Sequence, residues 1–219
     1  MRLTRLLATV VSAWALVETA AFAQPAPSPV KKDTRIPIAV FDARGVLARL
    51  GQDATTAAGL STSVFTLPAS GYGGAAGAHV YLLRRPSFAL GVGGEAILAR
   101  ASRTLTDSSG KATGAVIHRR LRALSGQLSL NFGRRAGWSY LTAGMGPTSF
   151  ESYLDGATPD GLRPNSLNFG GGARWFNFKH LAFTADMRFY ATKPALATPN
   201  TAPRVRRNLI VFSAGIAIQ

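Results

Sequence analysis

Two neighbouring stretches near the C-terminal end, residues 167–176 and 181–190, alternate between apolar and polar positions. A period of two is typical of a β-strand, and a short turn of residues 177–180 separates them, so the pattern predicts a hairpin with one apolar face. The opposite face carries Arg174, Asp186 and Arg188, which lie within pairing reach across the two strands. These charges must be solvated or paired.

The same analysis of the rest of the chain predicts six more strands and a short helix over 53–60 capped by Asp53. The further strands are 36–50, 71–83, 88–104, 117–132, 138–150 and 206–219. In the fourth strand of the chain, 117–132, Leu124 and Leu128 share one face while Ser125 and Gln127 share the other. The pattern leaves the facing of 138–150 open, although Trp138 beside a turn suits an aromatic girdle at a membrane surface.

The connections alternate between long loops and tight turns, which is typical of outer-membrane barrels. Strands of about 9 to 11 residues also suit a tilted crossing of the hydrocarbon layer. We therefore predict an all-β fold, an eight-stranded antiparallel up-and-down transmembrane β-barrel with a charged lumen. The alternative is a soluble periplasmic lipocalin-like barrel, in which the apolar face would line the cavity of an apolar ligand.

The first 23 residues combine Arg2 and Arg5, an apolar segment and Ala21-Phe22-Ala23, as in a cleaved secretory signal peptide. Residues 24–35, rich in proline and charge, are predicted to be a flexible periplasmic leader. The barrel domain would then comprise residues 36–219, with both barrel termini on the periplasmic side.

Without the signal peptide, 23 basic and 9 acidic residues remain, a net charge of +14. An exported protein meets little nucleic acid, so we expect the basic excess to face the phosphates of lipid and lipopolysaccharide. The sequence contains no cysteine, which excludes disulfides, thiol nucleophiles and cysteine metal sites.

Three segments, 128–133 (LSLNFG), 167–176 (LNFGGGARWF) and 181–190 (LAFTADMRFY), together with the signal peptide, resemble the small outer-membrane β-barrels of the OmpA/OmpX type. The resemblance spans about residues 36–219. It implies a location in the outer membrane of a Gram-negative cell, insertion by the outer-membrane assembly machinery, and a monomer. Members usually end in an aromatic residue that aids assembly, whereas this sequence ends in Ile218-Gln219.

The sequence nominates no catalytic, cofactor or metal site. His79, His118 and His180 are too dispersed for metal-ligand spacing. Some outer-membrane barrels modify lipid A with a serine and a histidine, but His118 and Ser125 are too far apart along one strand to be partners. The glycines 170–172 are interpreted as relief of crowding in a narrow barrel and not as a phosphate loop.

Two groups of charged residues remain as candidate functional residues. Glu95, Arg174, Asp186 and Arg188 are expected to form a paired charge network that plugs the lumen. Six arginines near the outer rim are candidate contacts for lipid phosphates: Arg119, Arg120, Arg122, Arg204, Arg206 and Arg207. The sequence thus predicts a non-enzymatic barrel that offers long extracellular loops for surface contact.

Overall fold

The computed structural model describes residues 35–106, 111–176 and 178–219. The predicted signal peptide, the leader up to residue 34 and the turn residue Asn177 lie outside these described residues. The strands are β1 Ala39–Arg49, β2 Ser70–Arg84, β3 Phe88–Thr106, β4 Ala112–Arg134, β5 Gly137–Leu154, β6 Asn165–Phe176, β7 Leu181–Thr192 and β8 Arg207–Ile218. They confirm the predicted eight strands.

Each strand pairs antiparallel with its neighbour in sequence, and β8 closes the sheet onto β1. The closing register runs from Phe41 opposite Ile218 to Arg49 opposite Ile210. Closure satisfies the backbone groups that the first and last strands would otherwise expose at an open edge. The predicted antiparallel up-and-down barrel is therefore confirmed.

One predicted loop is wrong. The segment 105–116 was expected to be a polar connection, but β3 and β4 continue through most of it, with Thr104 opposite Val116 and Thr106 opposite Ala112. Backbone pairing holds these polar residues in strands even though they have no apolar face to bury. The β3–β4 hairpin consequently extends beyond the neighbouring strands as a long ribbon.

The other long connections lie at the same end of the barrel as the tip of that ribbon, and we call it the loop end. The opposite end, with its tight turns, is the turn end. The first connection contains α1 Ala54–Gly59, where the Asp53 side chain accepts a hydrogen bond of 2.6 Å from the Thr56 amide, and a 3-10 turn at Val64–Thr66. The predicted Asp53 cap is confirmed. Among the described residues, no helix is long and apolar enough to cross a membrane.

Side chains that point inward fill the barrel in three layers, whose order can be followed along β1. Nearest the turn end is an apolar, aromatic group, the turn-end layer: Ile36, Val40, Tyr81, Ala89, Trp138, Tyr140, Phe176, Ala182 and Ala217. Trp138 is only 3% exposed and stacks on Phe176 with 5.0 Å between ring centroids. The expectation that Trp138 belongs to an external girdle is therefore wrong, because β5 directs its even-numbered side chains inward here.

Nearest the loop end is a second apolar group, the loop-end layer. It consists of Val46, Ala48, Leu50, Ala75, Ile97, Ala99, Leu121, Ala123, Phe150, Tyr190, Leu209 and Val211. Above it, two long connections pack on each other and on Ile117 of β4 through a small apolar cluster that we call the roof: Ala57, Leu60, Leu67, Ile117 and Ala202. Charged residues occupy the space between the two layers.

Candidate functional site

The middle of the barrel holds six charged side chains, none more than 7% exposed, which we call the charge layer. Its members are Asp42, Arg44, Glu95, Arg174, Asp186 and Arg188. Four of the eight strands, β1, β3, β6 and β7, contribute to it, and its three acidic and three basic groups balance. Burying a charge is costly unless it is paired or fully hydrogen-bonded, so this balance stabilises the fold.

Arg44 lies at the centre of the charge layer and contacts all three acids. Its Nε lies 2.8 Å from Asp42 Oδ1 and its Nη1 lies 3.3 Å from Asp186 Oδ1. Its Nη2 contacts Glu95 Oε2 across the lumen. One guanidinium thus joins side chains from β1, β3 and β7.

Arg188 and Arg174 complete the pairing. Arg188 Nε donates to Asp186 Oδ1 at 2.9 Å, and its Nη1 lies 3.2 Å from Glu95 Oε1. Arg174 Nη2 donates to Asp42 Oδ2 at 2.7 Å. The four residues predicted for the network are thus all inside the barrel, but Arg174 joins the others through Asp42 and not by direct contact with Asp186.

Two tyrosine hydroxyls donate further hydrogen bonds to carboxylates of the charge layer. Tyr140 donates to Asp186 at 2.9 Å and Tyr190 donates to Glu95 at 2.8 Å. Arg174 lies over the Tyr140 ring, 4.3 Å from its centroid. Since each hydroxyl comes from an apolar layer, the charge layer is fixed from both ends of the barrel.

Asp42 and Arg44 are the members that sequence reasoning missed. The signal was available in β1, where Val40, Asp42, Arg44 and Val46 share one parity and alternate with Phe41, Ala43 and Gly45. That parity places two charged residues on the same face as two valines, which is unusual in a strand that has one solvent-exposed face and one buried face. Only a barrel interior with apolar and charged layers along its axis accommodates both.

Two inward glycines make room for this network. A Cβ at Gly172 would lie 2.7 Å from the Tyr140 hydroxyl, and one at Gly170 would lie 2.9 Å from Arg188 Cγ. Both distances are shorter than ordinary carbon contacts, so any larger residue would displace the charge layer or the strand. This geometry agrees with the interpretation of these glycines as relief of crowding.

The six rim arginines divide into inward and outward groups. Arg119 points into the barrel, where Nη1 donates to the Pro68 carbonyl at 2.8 Å and Nε to the Ser152 hydroxyl at 3.1 Å. Arg204 is buried under the roof and donates to the Phe150 carbonyl at 2.6 Å. Both were expected to contact lipid phosphates, and this expectation is corrected because strand parity and loop packing turn their guanidinium groups toward backbone carbonyls.

Burial lowers the pKa of the Arg204 guanidinium, while the nearby Glu151 carboxylate acts in the opposite direction. Arg207 is also engaged with the loops, since its Nη2 donates to the Gln52 carbonyl at 2.9 Å and lies 3.4 Å from Asp53 Oδ2. Arg120, Arg122 and Arg206 are the rim arginines on the outward side. These three remain candidates for external contacts.

The three histidines are separated. His79 is buried in the barrel, 3.1 Å from Gln127 Oε1, while His180 is exposed at the turn end. His118 lies on the outward face of β4, and Ser125 on its inward face, so these two cannot act together. Across the described ranges, no group of three or more potential ligand side chains could hold a metal ion.

No protein-family model matches the chain, and no curated protein matches it either. Among solved structures, it is similar to Ail of Yersinia pestis in complex with the heparin analogue sucrose octasulfate, with 12% identity, a TM-score of 0.46, and coverage of 85% of this chain and 99% of that one. It is also similar to Neisserial surface protein A, with 16% identity, a TM-score of 0.42, and coverage of 85% and 97%. A third similar structure is AlkL in lipid bilayers, with 14% identity, a TM-score of 0.40, and coverage of 89% and 94%.

Proposed function

We propose that this protein is a non-enzymatic β-barrel of the outer membrane, which spans the bilayer with its strands and displays its long loops outside the cell. The observation that carries the proposal is the direction of the apolar face. On β4, Leu128 is 67% exposed while its neighbours Gln127 and Ser129 are 4% and 5% exposed. Water would make this arrangement costly, whereas lipid makes it favourable.

The outward apolar surface continues around the barrel. Exposed large side chains on the strands include Phe41, Val80, Leu90, Val92, Leu98, Leu124, Leu128, Leu141, Met145, Leu167, Phe169, Phe183, Met187, Phe212 and Ile216. We call this surface the apolar belt. An apolar surface of this extent on a protein marks contact with a membrane or a partner, and contributions from every strand favour the surrounding bilayer.

The alternative of a soluble barrel that binds an apolar ligand is less well supported. Such a barrel needs an apolar cavity on its inner face. Here the middle of the interior is occupied by the charge layer, and fully buried side chains such as Leu121 and Tyr190 fill the space beside it. An apolar ligand would have to displace paired charges.

In this proposal the lumen is plugged and the role is structural or one of surface contact. The termini and the turn end face the periplasm, the loop end faces outward, the assembly machinery inserts the chain, and the barrel is a monomer. The roof supports the outward position of the loop end. There, Arg119 and Arg204 hold the long connections against the barrel by hydrogen bonds to backbone carbonyls.

Cell fractionation tests the membrane location. Full-length protein expressed in a Gram-negative host should appear in the outer-membrane fraction, require detergent for extraction, and run at different positions on a gel with and without heating. Recovery in the periplasmic fraction without detergent would contradict the proposal and favour the soluble alternative.

Planar bilayer recordings test the plug. The purified barrel should give no sustained conductance steps, because an eight-stranded barrel has room for little besides its own side chains. Stable, stepwise conductance would contradict the plugged lumen while leaving the membrane location intact. A preparation of a large porin under the same conditions provides the positive control.

A further inference from the structure

A cleft of about 390 Å³ lies on the outer surface of the barrel near the loop end. Residues that line it come from four neighbouring strands: Tyr72, Arg100, Ser102, His118, Arg120 and Tyr153. Arg122 lies on the same outward face of β4, two residues from Arg120 towards the apolar belt. Three arginines and a histidine therefore share one region of the outer wall.

Arg100 on β3 and Arg120 on β4 are direct cross-strand partners. Like charges directly opposite each other destabilise a pair of strands unless an anion lies between or beside them. The next outward pair towards the loop end, Ser102 and His118, adds no acid. On the other side of β4, Arg120 is the cross-strand partner of Glu151 on β5, so one acid lies beside three arginines and the register leaves an excess of positive charge.

Two acids lie near this charge, but among the described residues neither forms an ion pair with an arginine of this region. Asp155 lies 3.2 Å from His118 Nε2, and Glu151 accepts a hydrogen bond of 3.1 Å from the Gly161 amide. Within the part of the chain that the structure describes, the side chains of Arg100 and Arg122 make no hydrogen bond or ion pair, and the buried Nε of Arg120 has no hydrogen-bond partner. Arg120 Nη2 donates to the Tyr153 hydroxyl at 2.9 Å, which holds the guanidinium at the cleft.

The position of the cleft identifies the kind of anion. Leu98, the cross-strand partner of Arg122, and Leu124, the next outward residue of β4, both belong to the apolar belt. The arginines therefore begin where the apolar surface ends, at the level of lipid headgroups. A free anion would gain no contact from the adjoining leucines. A lipid can place its phosphate beside the arginines and its acyl chains along the leucines.

We propose that Arg100, Arg120 and Arg122 bind the phosphate of a phosphorylated membrane lipid whose acyl chains lie against Leu98 and Leu124. This inference rests on the proposed membrane role. Guanidinium groups suit the task because they form paired hydrogen bonds with phosphate oxygens. Tyr72 and Tyr153 flank the arginines with rings that suit the boundary between hydrocarbon and water.

Native mass spectrometry of the detergent-solubilised barrel tests the proposal, with lipid A and its dephosphorylated form as the two probes. The wild-type protein should bind lipid A at least about tenfold more tightly than the dephosphorylated form, since charge-assisted hydrogen bonds to phosphate are lost in the latter. The combined variant Arg100→Gln, Arg120→Gln should lose that preference.

The matched control is Arg134→Gln, Arg135→Gln, which removes the same charge from the tight turn between β4 and β5 at the other end of the barrel. This control should bind lipid A as the wild type does. Equal losses in both double variants would overturn the proposal, because they would indicate attraction to net charge alone. Heat-dependent gel mobility verifies that each variant is folded, and Arg100→Lys, Arg120→Lys replaces any glutamine variant that is not; it should bind with intermediate affinity.

Inorganic phosphate distinguishes a lipid site from a simple anion site. At millimolar concentration it should not displace lipid A, because the acyl chains contribute to binding through the apolar belt. Displacement would overturn the assignment to lipid. A barrel that inserts into the outer membrane but shows no preference for phosphorylated lipid would refute this inference alone, whereas recovery in the periplasm would refute the proposed function.

Discussion

Arg119 and Arg120 are neighbours in sequence but belong to different regions of the molecule. Arg119 is 1% exposed inside the barrel and donates to the carbonyls of Pro68 and Leu50 and to the Ser152 hydroxyl. Arg120 points outward and lines the cleft, where its Nη2 donates to the Tyr153 hydroxyl at 2.9 Å. A step of one residue along a strand thus separates a structural arginine from one that is available to a ligand.

The same division holds for the whole barrel. Inside, three acids and three arginines are paired within the charge layer, because an unpaired charge there could reach no water. Outside, Arg100 of β3 and Arg120 of β4 face each other, and Glu151 of β5 lies opposite Arg120 on the other side. Charge on the inner face therefore reports on stability, and charge on the outer face near the loop end reports on binding.

The largest expected effect comes from removing a carboxylate inside. Asp186 contacts Arg44 and Arg188 and accepts the Tyr140 hydroxyl. Asp186→Ala should destabilise the barrel by about 3 to 5 kcal/mol, because it leaves three buried guanidinium groups to share two carboxylates. Urea titration of the refolded protein in detergent micelles measures the loss.

Met187 provides the matched control on the outer face of the same strand. Met187→Ala should cost less than Asp186→Ala, since lipid or detergent tails fill the space, while Met187→Arg should cost about 2 to 4 kcal/mol near the bilayer midplane. If Asp186→Ala left the free energy of unfolding unchanged while Met187→Ala lowered it strongly, the assignment of the inner and outer faces would be reversed. That result would contradict the membrane proposal.

Crowding gives a second contrast between inside and outside. Gly172 points inward, and an added Cβ would lie 2.7 Å from the Tyr140 hydroxyl and 2.9 Å from the Asp186 Cα. Gly126, on the outer face of β4, has open space around an added Cβ. Gly172→Ala should destabilise the barrel by about 1 to 3 kcal/mol, while Gly126→Ala should be near neutral in the same urea titration. Equal effects would show that the interior is less filled than the structure indicates.

The period of two in the sequence was sufficient to predict the strands and most of their facing. Residues 124–132 alternate regularly between the two faces of the strand. Extended back along β4, the same alternation places Arg119 inside with Gln127 and Arg120 outside with Leu128. The rim arginines were instead grouped by their position near the end of a strand. Parity was the stronger signal, because each residue in a paired strand must take one face or the other.

The partners inside the charge layer could not be predicted from parity. Arg44 and Glu95 belong to strands that are not neighbours, as do Arg174 and Asp42, so their contacts depend on closure and on the stagger of the closed sheet. Trp138 was misplaced for a related reason, since aromatic residues occur both in external girdles and in a filled interior. Only the closed register decides between them.

Arg119 itself provides a more local test of the inner face. Arg119→Met should leave the carbonyls of Gly51 and Pro68 without their donor, at a cost of about 1 to 3 kcal/mol for the roof. Hydrogen exchange should accelerate in residues 50–69. Arg120→Met, which leaves the roof contacts in place, should not change exchange there. Faster exchange in both variants would contradict the division between the two arginines.

The smallest expected effect concerns the exposed side of the loops, where Asp160 accepts a hydrogen bond from the Thr198 hydroxyl and links the β5–β6 and β7–β8 connections. This hydrogen bond from Thr198 lowers the pKa of Asp160 below its ordinary value of 3.8. The link is therefore fully formed above that ordinary pKa and is lost as the pH falls through the lowered one.

Thr198→Val should raise the Asp160 pKa towards 3.8, as measured by an NMR titration of its carboxyl carbon in micelles, while Thr198→Ser should preserve the shift because it keeps the hydroxyl. An unchanged pKa in Thr198→Val would show that the Thr198 hydroxyl does not bind Asp160. Loss of the link should leave the urea midpoint of the barrel unchanged, since Asp160 lies in solvent and outside the charge layer.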